Sequence, residues 1–415
     1  MSVAQGTGPQ QSRTQQMSKH RKGKTMEQTK HKLSRILLGS AVALGVLASA
    51  SNSASTASAS AQSTGPSALG ATATTEPADA ATDPVTVGPA GEAATPSSEI
   101  VLTEEEIAEV QEGTFTAALL WHTEGAFVTA VSNGVHAEFD RLGIEIVAET
   151  SAGFDSTKQA SDVATVMALE PDIIVTLVVD PDAGAAAFEP AVDAGIKIVL
   201  LSNVPTGYVQ GTDYVGLATD DLAGMGIAAA DLLGESLGGS GQVGYIFHDA
   251  AYYVTNQRDA AFKARLTQMY PDIEIVAEEG MADPAKAEEI ASAMLTTHPE
   301  ITGIYTPWSD GPADGVLAAL RAADRPDIRL VTMDLSDNAS LDLASGGNVI
   351  GIAADEAFEL GRALATIGAY GVLGREAPPF VVVPAIAVTA DNLVEAYMLS
   401  LNSEPPAAVT EALDD

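Results

Sequence analysis

The chain contains no cysteine and few aromatic residues, and each shortage excludes particular features. Without cysteine there is no disulfide, no thiolate metal site, no cysteine nucleophile and no lipid attached through a cysteine. Aromatic residues make up only 5% of the 415 residues, so the core must consist mainly of Ala, Val, Ile and Leu. A chain of this length is long enough for two ordinary domains.

Basic residues are also scarce, and they are concentrated at the start of the chain. Residues 1–35 hold eight Lys and Arg and one acidic residue, a local charge of +7 (8 − 1). The remainder holds 12 basic and 55 acidic residues, a charge of −43 (12 − 55). A body this acidic is a poor partner for nucleic acid or an anionic membrane surface, and its charge predicts a soluble monomer.

The basic start is followed by an apolar run of 13 residues, Ile36–Ala48, which is short for a membrane span. Small residues such as Ala57-Ser58-Ala59 come next. We predict that residues 1–50 are a secretory signal with a long basic start. The protein is then exported to the periplasm, the cell envelope or the medium, and it has no lipid-anchoring cysteine. An uncleaved anchor or a buried helix is the alternative.

Residues 51–112 are rich in Ala, Ser, Thr, Pro and Gly and poor in large apolar side chains. Such a composition cannot bury enough surface to offset the entropy of ordering, so we predict a disordered linker here. A turn or two of helix is expected over residues 103–111, with Thr103 as its N-cap. The folded body is predicted to begin near Gly113.

From Gly113 onwards, apolar strand-like runs alternate with helical patterns, and the series restarts after residue 218. The strands are almost continuously apolar, as expected when helices cover both faces of a parallel sheet. We therefore predict an α/β fold of two doubly wound parallel-sheet lobes joined by a multi-crossing hinge. The first lobe takes residues 113–218 and 356–378, and the second takes 219–355. A return strand with a terminal helix (379–402) and a tail (403–415) follow. One large sheet is the alternative.

The order and spacing of several segments resemble the periplasmic sugar-binding proteins of ribose-binding type. They are a strand–turn–helix opening with Phe127, GIKIVLLSN (195–203), YVGLATDD (214–221), TNQRDAAF (255–262), LTTHPEITGIYTPWSD (295–310) and LVTMD (330–334). The resemblance covers residues 113–392 and implies a type I periplasmic-binding-protein fold. It also implies a solute-binding protein of an ABC importer, which captures a sugar or sugar alcohol between its lobes and presents it to a membrane permease. A sugar-sensing protein that signals to a chemoreceptor or sensor kinase is the alternative.

The resemblance implies ligand-binding positions at strand ends. Phe127 matches the family's stacking aromatic residue, and Asp334 matches its ligand-binding Asp, with a core and a hinge or capping role as the respective alternatives. Arg258 and Asn256 begin a helix that commonly carries a hydroxyl-binding Arg, which here could instead form a salt bridge. Further candidates by position are Asp355, which could equally bind the hinge, Asp310, and Trp308 as a second stacking residue.

The sequence also departs from the ribose-binding pattern. Ser202-Asn203 stand where those proteins carry an Asp-Arg pair, and Glu124-Gly125, with His122 just ahead, replace a polar pair. The pocket therefore loses a charged clamp, which makes ribose itself doubtful. Trp121, His122 and Glu124 lie at the end of the first strand, and Asn203 stands at the position of that Asp-Arg pair, so we include all four among the ligand-binding candidates.

Signals for catalysis and cofactors are missing from the sequence. Gly224-x-Gly226 lies within a helix and lacks the third glycine of a dinucleotide loop. The histidines show no metal-ligand spacing, and no Gly-x-Ser-x-Gly elbow occurs. A glycosidase would need two opposed carboxylates, for which only Glu124 and Asp334 qualify. We predict a binding protein rather than an enzyme, with no cofactor and no metal.

Overall fold

A computed structural model describes residues 85–414, and the predicted signal and the first part of the predicted linker lie outside these residues. The chain forms two lobes, each built on one sheet. None of the helices within residues 85–414 is long and apolar enough to cross a membrane.

The first lobe is a seven-stranded, wholly parallel sheet in the order β1-β12-β6-β5-β4-β2-β3. Its strands are β1 (Thr95–Pro96), β2 (Thr116–Trp121), β3 (Glu145–Ser151), β4 (Ile173–Thr176), β5 (Lys197–Leu201), β6 (Gly216–Asp220) and β12 (Phe380–Val383). Its helices are α1 (Glu104–Glu112), α2 (Ala126–Leu142), α3 (Ser156–Val166), α4 (Pro181–Asp193) and α10 (Ala357–Val372). The predicted parallel lobe is confirmed.

The second lobe has six strands in the order β13-β11-β10-β9-β7-β8, and only β13 is antiparallel to its neighbour. Its strands are β7 (Ser240–His248), β8 (Asp272–Met281), β9 (Gly303–Tyr305), β10 (Arg329–Met333), β11 (Val349–Asp355) and β13 (Ala385–Val388). Its helices are α5 (Leu222–Ser236), α6 (Tyr253–Met269), α7 (Ala287–Thr297), α8 (Asp314–Ala322), α9 (Asp337–Ala344), α11 (Leu393–Ser400) and α12 (Ala407–Asp414).

The chain passes between the lobes three times: from β6 to α5, from β11 to α10, and from β12 to β13. The sequence predicts one return strand over residues 380–388, but the structure divides it at Pro384 into two strands that belong to different sheets. Proline lacks a backbone donor, so it cannot continue the ladder of a central strand. The division produces the third crossing.

Asp and Ser side chains begin several of the helices. Asp155 accepts hydrogen bonds from the backbone amides of Thr157 and Lys158, and Asp180, Asp221 and Ser336 cap α4, α5 and α9 in the same way. These side chains satisfy amides that have no partner within their own helix. Each cap therefore fixes the point where the chain turns from a strand into a helix, close to the facing edges of the sheets.

The predicted boundary of the folded body is wrong, because residues 85–112 of the predicted linker contribute to the first lobe. β1 adds a strand beside β12, and Ile100 and Val110 are buried in the apolar core. Thr103 does cap α1, in a reciprocal pair with Glu106, as predicted. Strand pairing and two buried apolar residues therefore attach this polar segment to the lobe.

The same segment also contacts the hinge. The Thr86 hydroxyl donates to Asp221 and accepts a hydrogen bond from the Ala223 amide, and the Tyr253 hydroxyl donates to the Val87 carbonyl. At the other end of the chain, the predicted tail (403–415) contains α12, whose Val409 is buried in the second core. Both ends of the described chain are thus packed against the lobes.

Candidate functional site

The carboxyl ends of the parallel strands face each other across one cleft, where open α/β sheets hold their ligands. A cavity of about 720 Å³, including space open to solvent, lies between the lobes. Seven of the eleven predicted site residues line it: His122, Glu124, Phe127, Arg258, Trp308, Asp310 and Asp334. No ligand position tests these roles, which remain predictions.

Four predicted residues do not line the cavity. Trp121 is buried in the core of the first lobe and donates its Nε1 hydrogen to Glu149 at 2.9 Å. It points away because neighbouring residues of a strand face opposite sides, and His122 takes the side of the cleft. Asn203 uses its amide to bond the Val178 carbonyl at 3.0 Å and accepts a 3.4 Å hydrogen bond from the Val254 amide. In this structure, neither the Trp121 nor the Asn203 side chain therefore faces the cavity.

Asn256 also points away from the cavity, since its side chain bonds the backbone of Tyr252 and His248 at the start of α6. Asp355 ends β11 at a hinge crossing and is 1% exposed. It belongs to the hinge, which is the alternative that the sequence left open. Both residues lie near the cleft in the chain, but neither side chain points into the cavity.

Rings from both lobes meet in the cavity. Phe154 and His122 come from the first lobe, while Tyr252, His248 and Trp308 come from the second. The Phe154 ring centroid lies 6.3 Å from those of Tyr252 and Trp308, and His122 lies 5.3 Å from Phe154. His248 lies 5.1 Å from Trp308. Such a set of rings suits the C–H faces of a ring-shaped ligand.

The sequence did not identify Phe154 or His248 as site residues. Phe154 lies in a polar Gly-Phe-Asp turn between β3 and α3 and has a left-handed φ of 60°. Ser202 (57°) and Asp334 (62°) share this conformation and also line the cavity. Strained backbone of this kind concentrates at functional sites. An aromatic residue in an otherwise polar turn was the available sequence signal.

A hydrogen bond links the lobes directly at the edge of the cavity. The Asp310 carboxylate accepts a hydrogen bond from the Ala126 amide at 3.1 Å, next to Gly125. A Cβ at Gly125 would lie 2.6 Å from Asp310 Oδ2, and the φ of Gly125 is +140°. Only glycine allows this approach at this backbone angle without strain. Burial raises the pKa of Asp310, although the Ala126 amide opposes the shift.

Arg258 stands between the two lobes with three carboxylates around it. Its Nε donates to Asp220 at 2.8 Å and its Nη1 to both oxygens of Asp334 at 3.2 Å. Asp220 ends β6 and Asp355 ends β11, so both lie at hinge crossings. Burial raises the pKa of Asp334 to about 6, despite the opposing charge of Arg258. Burial, with the charges of Asp220 and Asp334, raises the pKa of Asp355 well above its usual value.

The remaining polar groups of the cavity include neutral rings and hydroxyls. Burial lowers the pKa of His122 to about 3, so its imidazole is uncharged at neutral pH. Among residues 85–414, no group hydrogen-bonds to His122 Nδ1, to the Tyr252 hydroxyl or to Ser309 Oγ, although all three atoms are buried. Buried polar atoms normally have a partner. These three are therefore the atoms best placed to bond a bound molecule.

A sequence profile of the family described as "Periplasmic binding protein domain" matches residues 116–376, more than half of the chain. The chain belongs to this family. The periplasmic binding protein described here is 24% identical to the ribose import binding protein of Bacillus subtilis over 214 residues, which are 51% of this chain and 67% of that one. It is also 24% identical to the D-apiose import binding protein of Actinobacillus succinogenes over 242 residues, 57% of this chain and 74% of that one.

The fold agrees with solved structures of the same class. An ABC transporter solute-binding protein from Agrobacterium vitis, bound with alpha-D-tagatopyranose, matches this periplasmic binding protein with a TM-score of 0.63 and 20% identity. The match covers 69% of this chain and 99% of that one. The type I fold is confirmed, and the relatives are import binding proteins and not enzymes. No group of three or more His, Asp or Glu side chains within residues 85–414 is arranged to hold a metal ion.

Proposed function

We propose that this periplasmic binding protein is the exported solute-binding component of an ABC importer. It captures a sugar or sugar alcohol in the cleft between its lobes and presents the closed form to a membrane permease. The observation that carries this proposal is one cavity that combines aromatic rings from both lobes with three buried polar atoms that have no hydrogen-bond partner among residues 85–414. A sugar has the complementary surface, with C–H faces and a rim of hydroxyls.

The charged groups fit the same ligand class. Arg258 and Asp334 offer a donor and an acceptor that are already fixed by their own ion pair, so a hydroxyl can bond to both without new ordering. Rings of both lobes meet in this cavity, so a bound sugar would contact both lobes at once. Binding therefore shifts an open–closed equilibrium toward the closed form by its preference for that form.

The test is a thermal-shift screen of the purified chain against pentoses, hexoses and sugar alcohols, followed by calorimetry on each hit. A ligand at a hundred times its dissociation constant adds about 2.7 kcal/mol to the free energy of unfolding, and the melting temperature should rise by a few degrees. A flat response to every sugar and sugar alcohol would contradict the proposal.

Transport and sensing use the same closure and need a separate experiment. We expect a strain lacking this gene to lose uptake of the radiolabelled sugar identified by the screen. Normal uptake together with a lost transcriptional or swimming response would instead support the sensing alternative. Export and a monomeric state are part of the proposal and are checked by cell fractionation and light scattering.

A further inference from the structure

One end of the cavity, beneath the ends of β4 and β5, differs from the rest. Leu177 and Val254 line it, and they are 2% and 7% exposed. Both side chains belong to the apolar core of the first lobe, although Val254 starts from α6 of the second lobe. We call Leu177, Val254 and the adjoining Ser202 the β4–β5 end of the cavity.

The polar side chains at the β4–β5 end are already engaged. The Asn203 amide bonds Val178 and Val254, as described above. Ser202 Oγ lies 2.8 Å from Thr219 Oγ1, which in turn donates to Asp220 at 3.1 Å. Because the Thr219 hydrogen goes to Asp220, Ser202 must donate its own hydrogen to Thr219. Ser202 can then accept hydrogen bonds from a ligand but cannot donate one, and Leu177 and Val254 can make none.

The groups that remain open to a ligand lie on other residues: His122, Tyr252, Ser309, Arg258 and Asp334. A hydroxyl placed against Leu177 and Val254 would lose its water and find no partner on either side chain, with Ser202 as an acceptor at most, whereas a methyl group there would lose nothing. Leaving a buried hydroxyl unpaired weakens binding by about tenfold or more, and tenfold corresponds to about 1.4 kcal/mol. The β4–β5 end of the cavity therefore favours a methyl group of the ligand over a hydroxyl group.

We propose that the ligand is a deoxy sugar whose methyl or deoxygenated carbon packs against Leu177 and Val254. This inference rests on the proposed function and narrows it to one substrate class. The hydroxyls of such a sugar lie on the side of Arg258, Asp334 and the unpartnered polar atoms. Its ring faces lie against the aromatic side chains.

Calorimetric titration of the purified chain with matched sugar pairs tests the inference. The pairs are L-rhamnose with L-mannose, L-fucose with L-galactose, D-fucose with D-galactose, and 2-deoxy-D-ribose with D-ribose. We expect the deoxy member of at least one pair to bind about tenfold more tightly than its parent sugar. Binding confined to fully hydroxylated sugars overturns the inference but leaves the proposed function standing. Failure of every sugar and sugar alcohol to bind overturns both.

A substitution at the β4–β5 end gives a second measurement. Val254→Thr keeps the side-chain volume and adds a hydroxyl, so it should shift the affinity ratio of the selected pair toward the parent sugar by about fivefold. Val254→Ala is the matched apolar control, and it should keep the preference for the deoxy sugar even if both affinities fall. Melting temperatures show that each variant is folded. An unchanged ratio in Val254→Thr would place the deoxygenated carbon elsewhere and overturn the assignment.

Discussion

The two walls of the cleft have different chemistry. The first lobe contributes Phe127, Phe154, Leu177 and a neutral His122, together with an exposed acidic residue, Glu124. The second lobe contributes the charged groups, Arg258, Asp310 and Asp334, together with Trp308 and Tyr252. The first wall therefore supplies shape and apolar contact, while the second fixes the orientation of polar groups.

The largest effect should follow removal of the cation of the second wall. Arg258→Met leaves Asp220, Asp334 and Asp355 buried together without a counter-charge, which should lower the free energy of unfolding by about 3–5 kcal/mol and abolish sugar binding. Urea unfolding measures the loss. Arg321→Met is the control, since Arg321 is 66% exposed in its pair with Asp342 and should cost at most about 1 kcal/mol. Equal losses of stability in the two variants would contradict the role of Arg258 as the counter-charge of the buried carboxylates.

The second largest effect should follow removal of an aromatic ring that packs against the sugar. Trp308→Ala removes a ring that meets Phe154 across the cleft, and we expect sugar affinity to fall by about 2–3 kcal/mol in calorimetric titrations. The chain has only one other tryptophan, Trp121, which makes it a matched control. Trp121→Phe should alter stability but not affinity, because Trp121 faces the core. A loss of sugar affinity in Trp121→Phe would show that Trp121 belongs to the binding site.

The first wall should show a pH dependence of its own. His122 has a folded pKa of about 3, below that of the unfolded chain, so the unfolded state binds the proton first as the pH falls. The stability that comes from keeping His122 neutral is fully present above about pH 6.5. It falls progressively at lower pH, and at pH 5 the free energy of unfolding is lower by about 2 kcal/mol.

Urea unfolding of the wild type and His122→Gln at pH 8 and pH 5 measures this contribution. The variant should lose about 2 kcal/mol less than the wild type over this range. His298→Gln, on the surface beside Glu300, controls for loss of a histidine as such. Parallel profiles for the wild type and His122→Gln would mean that His122 is not buried neutral in solution.

The smallest effect is expected at Glu124. Glu124→Gln should change sugar affinity by less than about 0.5 kcal/mol, because an exposed carboxylate at the rim is largely screened by water and salt. Titrations at low and high salt measure it. A tenfold loss would show that the first wall also orients the ligand through charge, and the contrast between the two walls would then fail.

The sequence predicted the fold well because its signals are periodic and repeated. Continuous apolar strands that alternate with amphipathic helices specify parallel sheets, and the restart after residue 218 specifies two lobes. The prediction failed where a few contacts decide the outcome. Ile100 and Val110 anchor a segment whose composition resembles a linker, and Pro384 divides one apparent strand between two sheets.

The site was predicted less completely, because position along a strand does not determine which way a side chain points. Trp121 and His122 are neighbours, yet one faces the core and the other the cavity. Asp334 and Asp355 both end strands, but only Asp334 lines the cavity, while Asp355 stays at the hinge. Phe154 lies in a turn whose left-handed backbone directs the ring into the cavity. Such a turn leaves no periodic pattern in the sequence, so periodicity could not predict it.

The three crossings of the hinge also determine when each lobe can be completed during synthesis. β12 lies between β1 and β6 in the first sheet, and β13 forms the edge of the second sheet beside β11. Neither sheet is complete until residues 380–388 have left the ribosome. Both lobes therefore lack one strand until the last crossing of the hinge has been synthesised.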